Sequence, residues 1–312
     1  MKLGRLEKID LRRQWSKEDT EFTPWLAEDE NIELLGDVIN MELEVQSQEE
    51  NVGPFRADIL CVDTATSNYV LIENQLERTD HMHLGQLMTY AAGLDAVTII
   101  WIARKFTEEH RAALDWLNNI TDEKFNFFGI EIELYKIGYS LAAPKFNLIA
   151  KPNDWTKSVR KSASSQNLTE TKLLQQEYWQ AFKNYMEEKN SRIRIQKPQP
   201  QHWMNLAIGK SDYNLNASVS TKDNTISVWL NILGDNAKIN FEKLKEIGEN
   251  KSHQEINEDV RWLRMNDKIQ SAVILTVKGN MKNKNEWEIQ FEWFKEYLER
   301  FDRFFRPLIK SV

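Results

Sequence analysis

The sequence of 312 residues contains one cysteine and no long apolar run. A single cysteine, Cys61, excludes an internal disulfide and any metal cluster built from several cysteines. A membrane-spanning helix needs about 18 or more apolar residues in succession, so the sequence excludes one. Residues 1–15 also lack the continuous apolar stretch of a signal peptide. We therefore expect a cytoplasmic protein with no membrane partner.

Positive charge is scarce in one half of the chain only. Residues 1–155 contain 15 Lys+Arg against 28 Asp+Glu, a net charge of −13. The remaining residues contain 26 against 20, a net charge of +6. An acidic half suits carboxylates gathered around a cation, and a basic half attracts a phosphate backbone. Simple solvation of two surfaces explains the same numbers, so charge alone leaves both interpretations open.

The composition also predicts where the chain divides. Residues 156–171 are rich in Ser, Lys and Thr and poor in large apolar side chains, which is typical of a linker. The sequence thus predicts one domain over residues 1–155 and a second over residues 172–312.

Helical and strand-like patterns alternate along the first domain. Helices are predicted from the capping pair Thr23-Pro24 to Ile39, at 81–94 and at 108–120. Strands are predicted at 41–45, 55–62, 69–75, 96–103 and 127–137. This order predicts an α/β fold in which helices flank a mixed sheet in about three layers.

The second domain is predicted to be α+β. It begins with an aromatic-rich helix at 173–189, continues through several strands, and ends in a helix from about residue 285. The last helix carries aromatic side chains on more than one face. Burial against its own sheet explains them, and a homodimer seam is the alternative.

The residues that carry chemistry lie in two neighbouring predicted strands, FRADILCVD and YVLIENQ. Side chains two residues apart in a strand share a face, so Glu73 and Gln75 point together. If the strands pair around a turn centred between Ala65 and Thr66, positions that sum to 131 face each other. Asp58 then lies opposite Glu73. Opposed carboxylates repel unless a cation lies between them, and Mg²⁺ accepts one or two carboxylates together with water.

These residues resemble the signature of a known nuclease superfamily. Asp58 followed by Glu73-Asn-Gln75 resembles the D…(D/E)-x-K motif of the PD-(D/E)XK, or restriction-endonuclease-like, superfamily, with glutamine in the usual lysine place. The next predicted helix contains Gln86-Leu-Met-Thr-Tyr90, which resembles the Q-x-x-x-Y element of RecB-like members. Residues 5–155 are similar to a bacterial family of two-domain proteins assigned to this superfamily.

The resemblance implies a restriction-endonuclease-like fold and a metal-dependent DNA endonuclease with a role in defence against foreign DNA. Asp58 and Glu73 are expected to bind Mg²⁺ or Mn²⁺, and Gln75 to position water or the metal. An upstream acid is expected to complete the ligands, with Glu44 preferred over the other candidates, Glu33, Glu42 and Glu49. The residues expected to support the site or to bind substrate are His83, Gln86, Tyr90 and Arg56.

Other interpretations of these residues stay open. An amide at position 75 carries no charge and cannot act as a base, so a nuclease fold that binds nucleic acid or protein without turnover is the second hypothesis. Asp58 and Glu73 are otherwise solvent-facing edge residues. Gln86 and Tyr90 otherwise join a helix to the sheet. His81 and His83 have no third histidine nearby in the sequence, so we expect them to support the structure rather than bind a metal.

Overall fold

The computed structural model describes residues 3–52, 55–94, 98–122, 124–152 and 169–312. The chain divides into two compact units, Met1–Asp63 with Asn68–Ser164 and Thr64–Ser67 with Ser165–Val312. Residues 156–168 of the predicted linker lie outside the described residues. Within the described ranges, every helix is too short or too polar to cross a membrane.

A seven-stranded mixed sheet forms the centre of the first unit. Its elements are β1 (Leu6–Ile9), α1 (Thr23–Leu26), α2 (Asp29–Ile39), β2 (Leu43–Val52), β3 (Phe55–Asp63), β4 (Tyr69–Arg78), α3 (His81–Leu94), β5 (Thr98–Lys105), α4 (Glu108–Ile120), β6 (Asn126–Ile137) and β7 (Ala143–Ala150). The strand order is β1-β6-β5-β4-β3-β2, and β7 also pairs with β6. The β4–β5 and β5–β6 pairs are parallel, and the other pairs are antiparallel.

The mixed sheet with its flanking helices confirms the predicted fold class. The strands β1 and β7 and the second half of β2 are additions to the prediction. The side chains of β1 are mostly exposed, so its sequence has no apolar alternation to reveal it. In β7 exposed and buried positions mix irregularly around a proline, which hides the strand pattern.

Two hydrophobic cores lie on opposite faces of this sheet. Val70 and Ile72 pack with the side chains of α1 and α2. Leu71, between them in the chain, packs in a separate core with Leu87 of α3 and Leu114 of α4. Because β4 lies inside the sheet with helices over both faces, its polar residues Glu73, Asn74 and Gln75 are buried. Each of them therefore needs a hydrogen-bonding partner inside the protein.

The second unit is an antiparallel sheet with helices packed against it. Its elements are α5 (Glu170–Glu188), β8 (Trp203–Leu206), β9 (Tyr213–Ser220), β10 (Thr225–Ile232), α6 (Ala237–Glu255), β11 (Arg261–Leu263), β12 (Ser271–Lys278) and α7 (Trp287–Lys310). The strand order is β11-β12-β10-β9-β8. A single core joins the apolar side chains of this sheet to the three helices.

The aromatic residues of α7 belong to that core. Phe294, Phe301 and Phe305 are fully buried, and they pack with aromatic residues of α5 and with the sheet. Trp293 and Tyr297 are partly buried against the same cluster. The aromatic faces of α7 are therefore filled from within the unit, so they give no support to the homodimer seam.

Candidate active site

The predicted pairing of β3 with β4 is confirmed by the observed register. Ile59 pairs with Ile72 and Leu60 with Leu71, so paired positions sum to 131 as expected. The ladder ends at Ile59–Ile72. Asp58 and Glu73 are the next positions along the two strands, and they lie where the strands part.

We call the point where β3 and β4 part, at Asp58 and Glu73, the fork. The Asp58 carboxylate accepts a hydrogen bond at this point. The backbone amide of Asn74 donates to Oδ2 of Asp58 over 2.8 Å. By the register of the ladder, Asn74 would face Ala57. Ala57 instead packs in the core beneath α3, although Ile59, two residues on, packs in the opposite core. The alternation of β3 is thus broken at Asp58. The Asp58 side chain accepts the hydrogen bond of the Asn74 amide, which would otherwise be available to the backbone of β3.

Glu73 occupies a buried position in the middle of the sheet. Its side chain is only 4% exposed, and its partner on the other side of β4 is Trp101 of the parallel strand β5. By strand alternation it shares a face with Leu71 and Gln75, and Leu71 lies in the core beneath α3 and α4. A carboxylate in such a place is costly to bury without a compensating donor or cation.

The side chain of Gln75 is engaged on all sides by its own protein. Its Oε1 accepts a hydrogen bond of 2.9 Å from the indole nitrogen of Trp101. Its Nε2 donates to the carbonyl of Arg78 over 2.9 Å and lies 3.3 Å from Oδ2 of Asp80. Both amide hydrogens therefore have acceptors, and the residue is 1% exposed. Gln75 fixes the chain that leaves β4.

Asp80 directly precedes helix α3 and binds His83. The backbone amide of His83 donates to Oδ1 of Asp80 over 2.9 Å, which is the geometry of a helix cap. The ring Nδ1 of His83 lies 2.9 Å from Oδ1 and 2.8 Å from Oδ2 of the same carboxylate. Burial would raise the pKa of Asp80, but the hydrogen bonds from His83 and Gln75 together lower it below its usual value.

A third histidine, distant from His81 and His83 in the sequence, joins this region. Nδ1 of His81 lies 2.7 Å from Nε2 of His110, which belongs to the first turn of α4. Nδ1 of His110 lies 2.8 Å from Oγ1 of Thr79 and 3.0 Å from Oγ1 of Thr107. Burial lowers the pKa of His110, and the neighbouring His81 lowers it further. No short-range sequence signal links residues 81 and 110, because the contact depends on how α3 and α4 both follow neighbouring parallel strands.

Glu18 also reaches the C-terminal end of β4, a contact that no local sequence pattern predicts. Its Oε1 accepts from the backbone amide of Leu76 over 3.0 Å and from Arg12 over 2.8 Å. Arg12 in turn binds Glu77 over 3.0 Å. Glu18 thus satisfies the backbone amide of Leu76 in the same way that Asp58 satisfies that of Asn74.

The register separates the two upstream acids that the sequence proposed on β2. Glu44 pairs with Val62, four residues along β3 from Asp58, which corresponds to roughly 13 Å. Gln48 pairs with Ile59 and Glu50 with Ala57, so the position opposite Asp58 is that of Glu49. The structure therefore does not bring the preferred Glu44 to Asp58. It brings the backbone of Glu49 there, and the side chain of Glu49 lies outside the described part.

Three of the expected supporting residues lie near or outside the limits of the described structure. Gln86 lies on α3 and is partly buried, and its Oε1 is buried with no hydrogen-bonding partner among the described residues. The side chains of Tyr90 and Arg56 lie outside the described part. His83, on the same helix face as Gln86, is placed by Asp80.

The donor atoms of the fork suit a hard divalent cation. Asp58 and Glu73 each supply carboxylate oxygens there. Mg²⁺ prefers oxygen ligands of this kind and commonly uses only one or two protein carboxylates. The described residues contain no cluster of three or more His, Cys, Asp or Glu side chains suited to a metal. The fit to Mg²⁺ therefore rests on two carboxylates.

The comparisons with known proteins give one family match and two loose structural matches. Residues 174–309 match the family described as "Domain of unknown function (DUF4268)". No curated protein matches the chain. A crystal structure of a repair endonuclease from Pyrococcus abyssi aligns with a TM-score of 0.30 and 16% identity, over 42% of this chain and 64% of that chain. A structure of an EndoMS–dsDNA2 complex aligns with a TM-score of 0.26 and 20% identity, over 33% of this chain and 43% of that chain.

Both structural alignments cover less than two thirds of the matched chains. Alignments with TM-scores this low do not assign a function.

Proposed function

We propose that the first unit is a nuclease that hydrolyses DNA phosphodiester bonds with a divalent cation, Mg²⁺ or Mn²⁺, held by Asp58 and Glu73. The observation that carries the proposal is the fork between β3 and β4. By the register, Asp58 and Glu73 occupy facing positions on these two neighbouring strands. The hydrogen bond from the Asn74 amide fixes the Asp58 carboxylate. Glu49, opposite Asp58, takes the place of the upstream acid.

The roles of the surrounding residues follow from their chemistry. A bound cation supplies an activated water and neutralises charge that develops on the phosphate. Gln86 offers an oxygen to the cation or to its water, and Arg56 and Tyr90 contact the substrate backbone. The basic second half of the chain attracts the same backbone by charge. A role in defence against foreign DNA is the setting in which we place this activity.

One observation favours a second candidate, a nuclease fold that binds nucleic acid or protein without cleaving it. The Gln75 amide stands in the place of the usual catalytic lysine, and both its hydrogens are bound within the protein. An uncharged group with no free donor cannot supply what a lysine ammonium supplies. The two candidates make different predictions for metal binding and for turnover.

The decisive experiment compares the wild-type chain with Asp58→Asn and Glu73→Gln. Cleavage of plasmid and single-stranded DNA is measured with Mg²⁺ and with Mn²⁺, and Mn²⁺ affinity is measured by calorimetry. We expect both variants to fold, to bind Mn²⁺ at least about tenfold more weakly, and to lose cleavage. The matched control is Glu30→Gln, which removes an exposed carboxylate of α2.

Each other outcome has a clear meaning. Cleavage that persists in both variants would show that the fork is not the site. Metal binding without cleavage in the wild type would favour the inactive scaffold. Absence of both would reject the metal site as well.

A further inference from the structure

Asp80 and His83 form a carboxylate–imidazole pair outside the proposed metal ligands. The carboxylate contacts Nδ1 of His83 through both of its oxygens and also caps α3 through the His83 amide. The second ring nitrogen, Nε2, is therefore left to face away from Asp80. The His83 side chain is 18% exposed, so its ring is partly accessible to solvent.

The pair is held in place from the strand that carries Glu73. Nε2 of Gln75 lies 3.3 Å from Oδ2 of Asp80, and Gln75 is itself fixed by Trp101. Three successive contacts thus connect the buried sheet to the His83 ring. Because Gln75 is deeply buried, this series of contacts has little freedom to move.

Helix α3 carries His83 over the face of β4 on which Glu73 lies. Leu87, one helical turn after His83, packs in the same core as Leu71. On the N-terminal side of His83, Asp80 connects the His83 ring to Gln75 of β4. Glu73 lies between Leu71 and Gln75 on β4. The turn of α3 from His83 to Leu87 therefore runs along the stretch of strand that contains Glu73.

We infer that His83 is the general base of the proposed nuclease and that Asp80 is its positioning residue. This inference rests on the proposed function. A water oxygen attacks the phosphorus, the bond from phosphorus to the leaving sugar oxygen breaks, and Nε2 of His83 takes the proton that the water loses. Solvent protonates the leaving oxygen, and His83 then releases its proton to solvent. The pair supplies the proton acceptor that Gln75 lacks.

The charges around the pair are compatible with this role. Asp80 lies directly on the His83 ring, and the hydrogen bonds it accepts favour its charged form. The electrostatic neighbours of His110 include Asp80 together with His81, Glu109 and Arg78, so groups of both charge signs lie near the Asp80 carboxylate. A carboxylate on Nδ1 orients the ring and stabilises the cation that forms when Nε2 accepts a proton.

The test uses the full chain and single-turnover cleavage of DNA with Mn²⁺ between pH 5 and 8.5. If a histidine is the base, the wild-type rate should fall toward low pH. We expect His83→Gln to cleave about 100-fold more slowly or worse and to lack that fall. Mn²⁺ affinity should stay within about twofold of the wild type, because the variant keeps the carboxylates of the fork. Asp80→Asn keeps an oxygen to cap α3, so it should fold and be slowed less than His83→Gln.

Added imidazole gives a second readout. It should restore part of the rate in His83→Ala and leave the wild type unchanged, which a purely structural role would not produce. The matched control is His253→Gln, which alters an exposed histidine of α6 and should behave as the wild type.

The failures are distinguishable. A His83→Gln variant that cleaves within about threefold of the wild type with the same pH profile would overturn the inference and leave the proposed function standing. Loss of Mn²⁺ binding in that variant would make His83 a metal ligand instead of a base. A wild-type chain that cleaves nothing rejects both the proposed function and the role of His83.

Discussion

The backbone amide of Asn74 is bound by the carboxylate of Asp58, at 2.8 Å, where β3 and β4 part. Asp58 is thus part of the sheet's own hydrogen bonding as well as a candidate ligand. Replacing it changes two properties at once, and the choice of replacement separates them.

We predict that Asp58→Ala destabilises the first unit by about 1–3 kcal/mol, because the Asn74 amide loses its acceptor. Asp58→Asn keeps an oxygen at that place and should cost less than half as much. Urea unfolding of the two variants measures the difference. Equal losses would show that the contact with Asn74 does not contribute to stability.

Gln75→Lys restores the lysine of the superfamily motif, and we predict that it harms this protein. An ammonium group would face the indole N–H of Trp101 in a position that is 1% exposed. We expect a loss of at least about 3 kcal/mol of stability and no gain in cleavage.

The control for this variant is the same substitution at Gln180, an exposed residue of α5 whose Nε2 donates to Oδ1 of Asn184 over 2.9 Å. Gln180→Lys should unfold at the wild-type urea concentration. A Gln75→Lys protein as stable as the wild type would contradict our account of the Gln75 contacts.

The hairpin was predictable because its turn and its alternation are local. The register of β3 with β4 follows from the position of the polar gap between two apolar strands, and the structure reproduces it. The fold class follows in the same way from alternating periodicities.

Contacts between distant segments were not predictable. Glu49 lies opposite Asp58 because the register of β2 shifts between Val45 and Ser47. A single inserted residue of this kind leaves no mark in the composition. The contact of His81 with His110 depends on where two helices begin after parallel strands. A local pattern in the sequence carries neither fact.

We predict that Glu49→Gln weakens Mn²⁺ binding by about tenfold or more, and that Glu44→Gln changes it by less than about twofold. The register places position 49 opposite Asp58 and position 44 opposite Val62. Calorimetric titration of both variants measures this. The reverse order of effects would restore Glu44 as the third acid.

The stability of the first unit should fall in mild acid through His110. Its pKa in the folded protein lies below the ordinary value of 6.5, first through burial and then through His81. Between those two values the unfolded chain binds more protons than the folded chain. The stabilisation is therefore complete above about pH 6.5 and is lost as the pH falls through the lowered value.

His81→Asn removes the second of these causes, so we expect a smaller difference in unfolding midpoint between pH 7.5 and pH 5.5. Urea titrations at the two pH values measure the difference. His253→Asn, at an exposed site of α6, should leave it unchanged. An unaltered difference in His81→Asn would show that the two rings do not interact.

In the second unit, Lys238 holds the segment from Arg264 to Gln270 through hydrogen bonds to its backbone carbonyls. Its ammonium donates to the carbonyls of Met265 over 2.8 Å and of Gln270 over 2.6 Å. We predict that Lys238→Met speeds tryptic cleavage after Lys268, and mass spectrometry of the fragments detects it. Lys243→Met, at an exposed site on the same helix, serves as the control and should not change the rate.

The contacts of Gln75 also limit how this chain can diverge. The Gln75 side chain is bound by the indole of Trp101 and the carboxylate of Asp80. We therefore expect positions 75, 80 and 101 to change together. Homologous chains that have lysine at position 75 should carry no tryptophan at position 101, because two donors would then meet. The glutamine would on this basis be an inherited alternative with its own set of partners, and not the residue of a decaying enzyme.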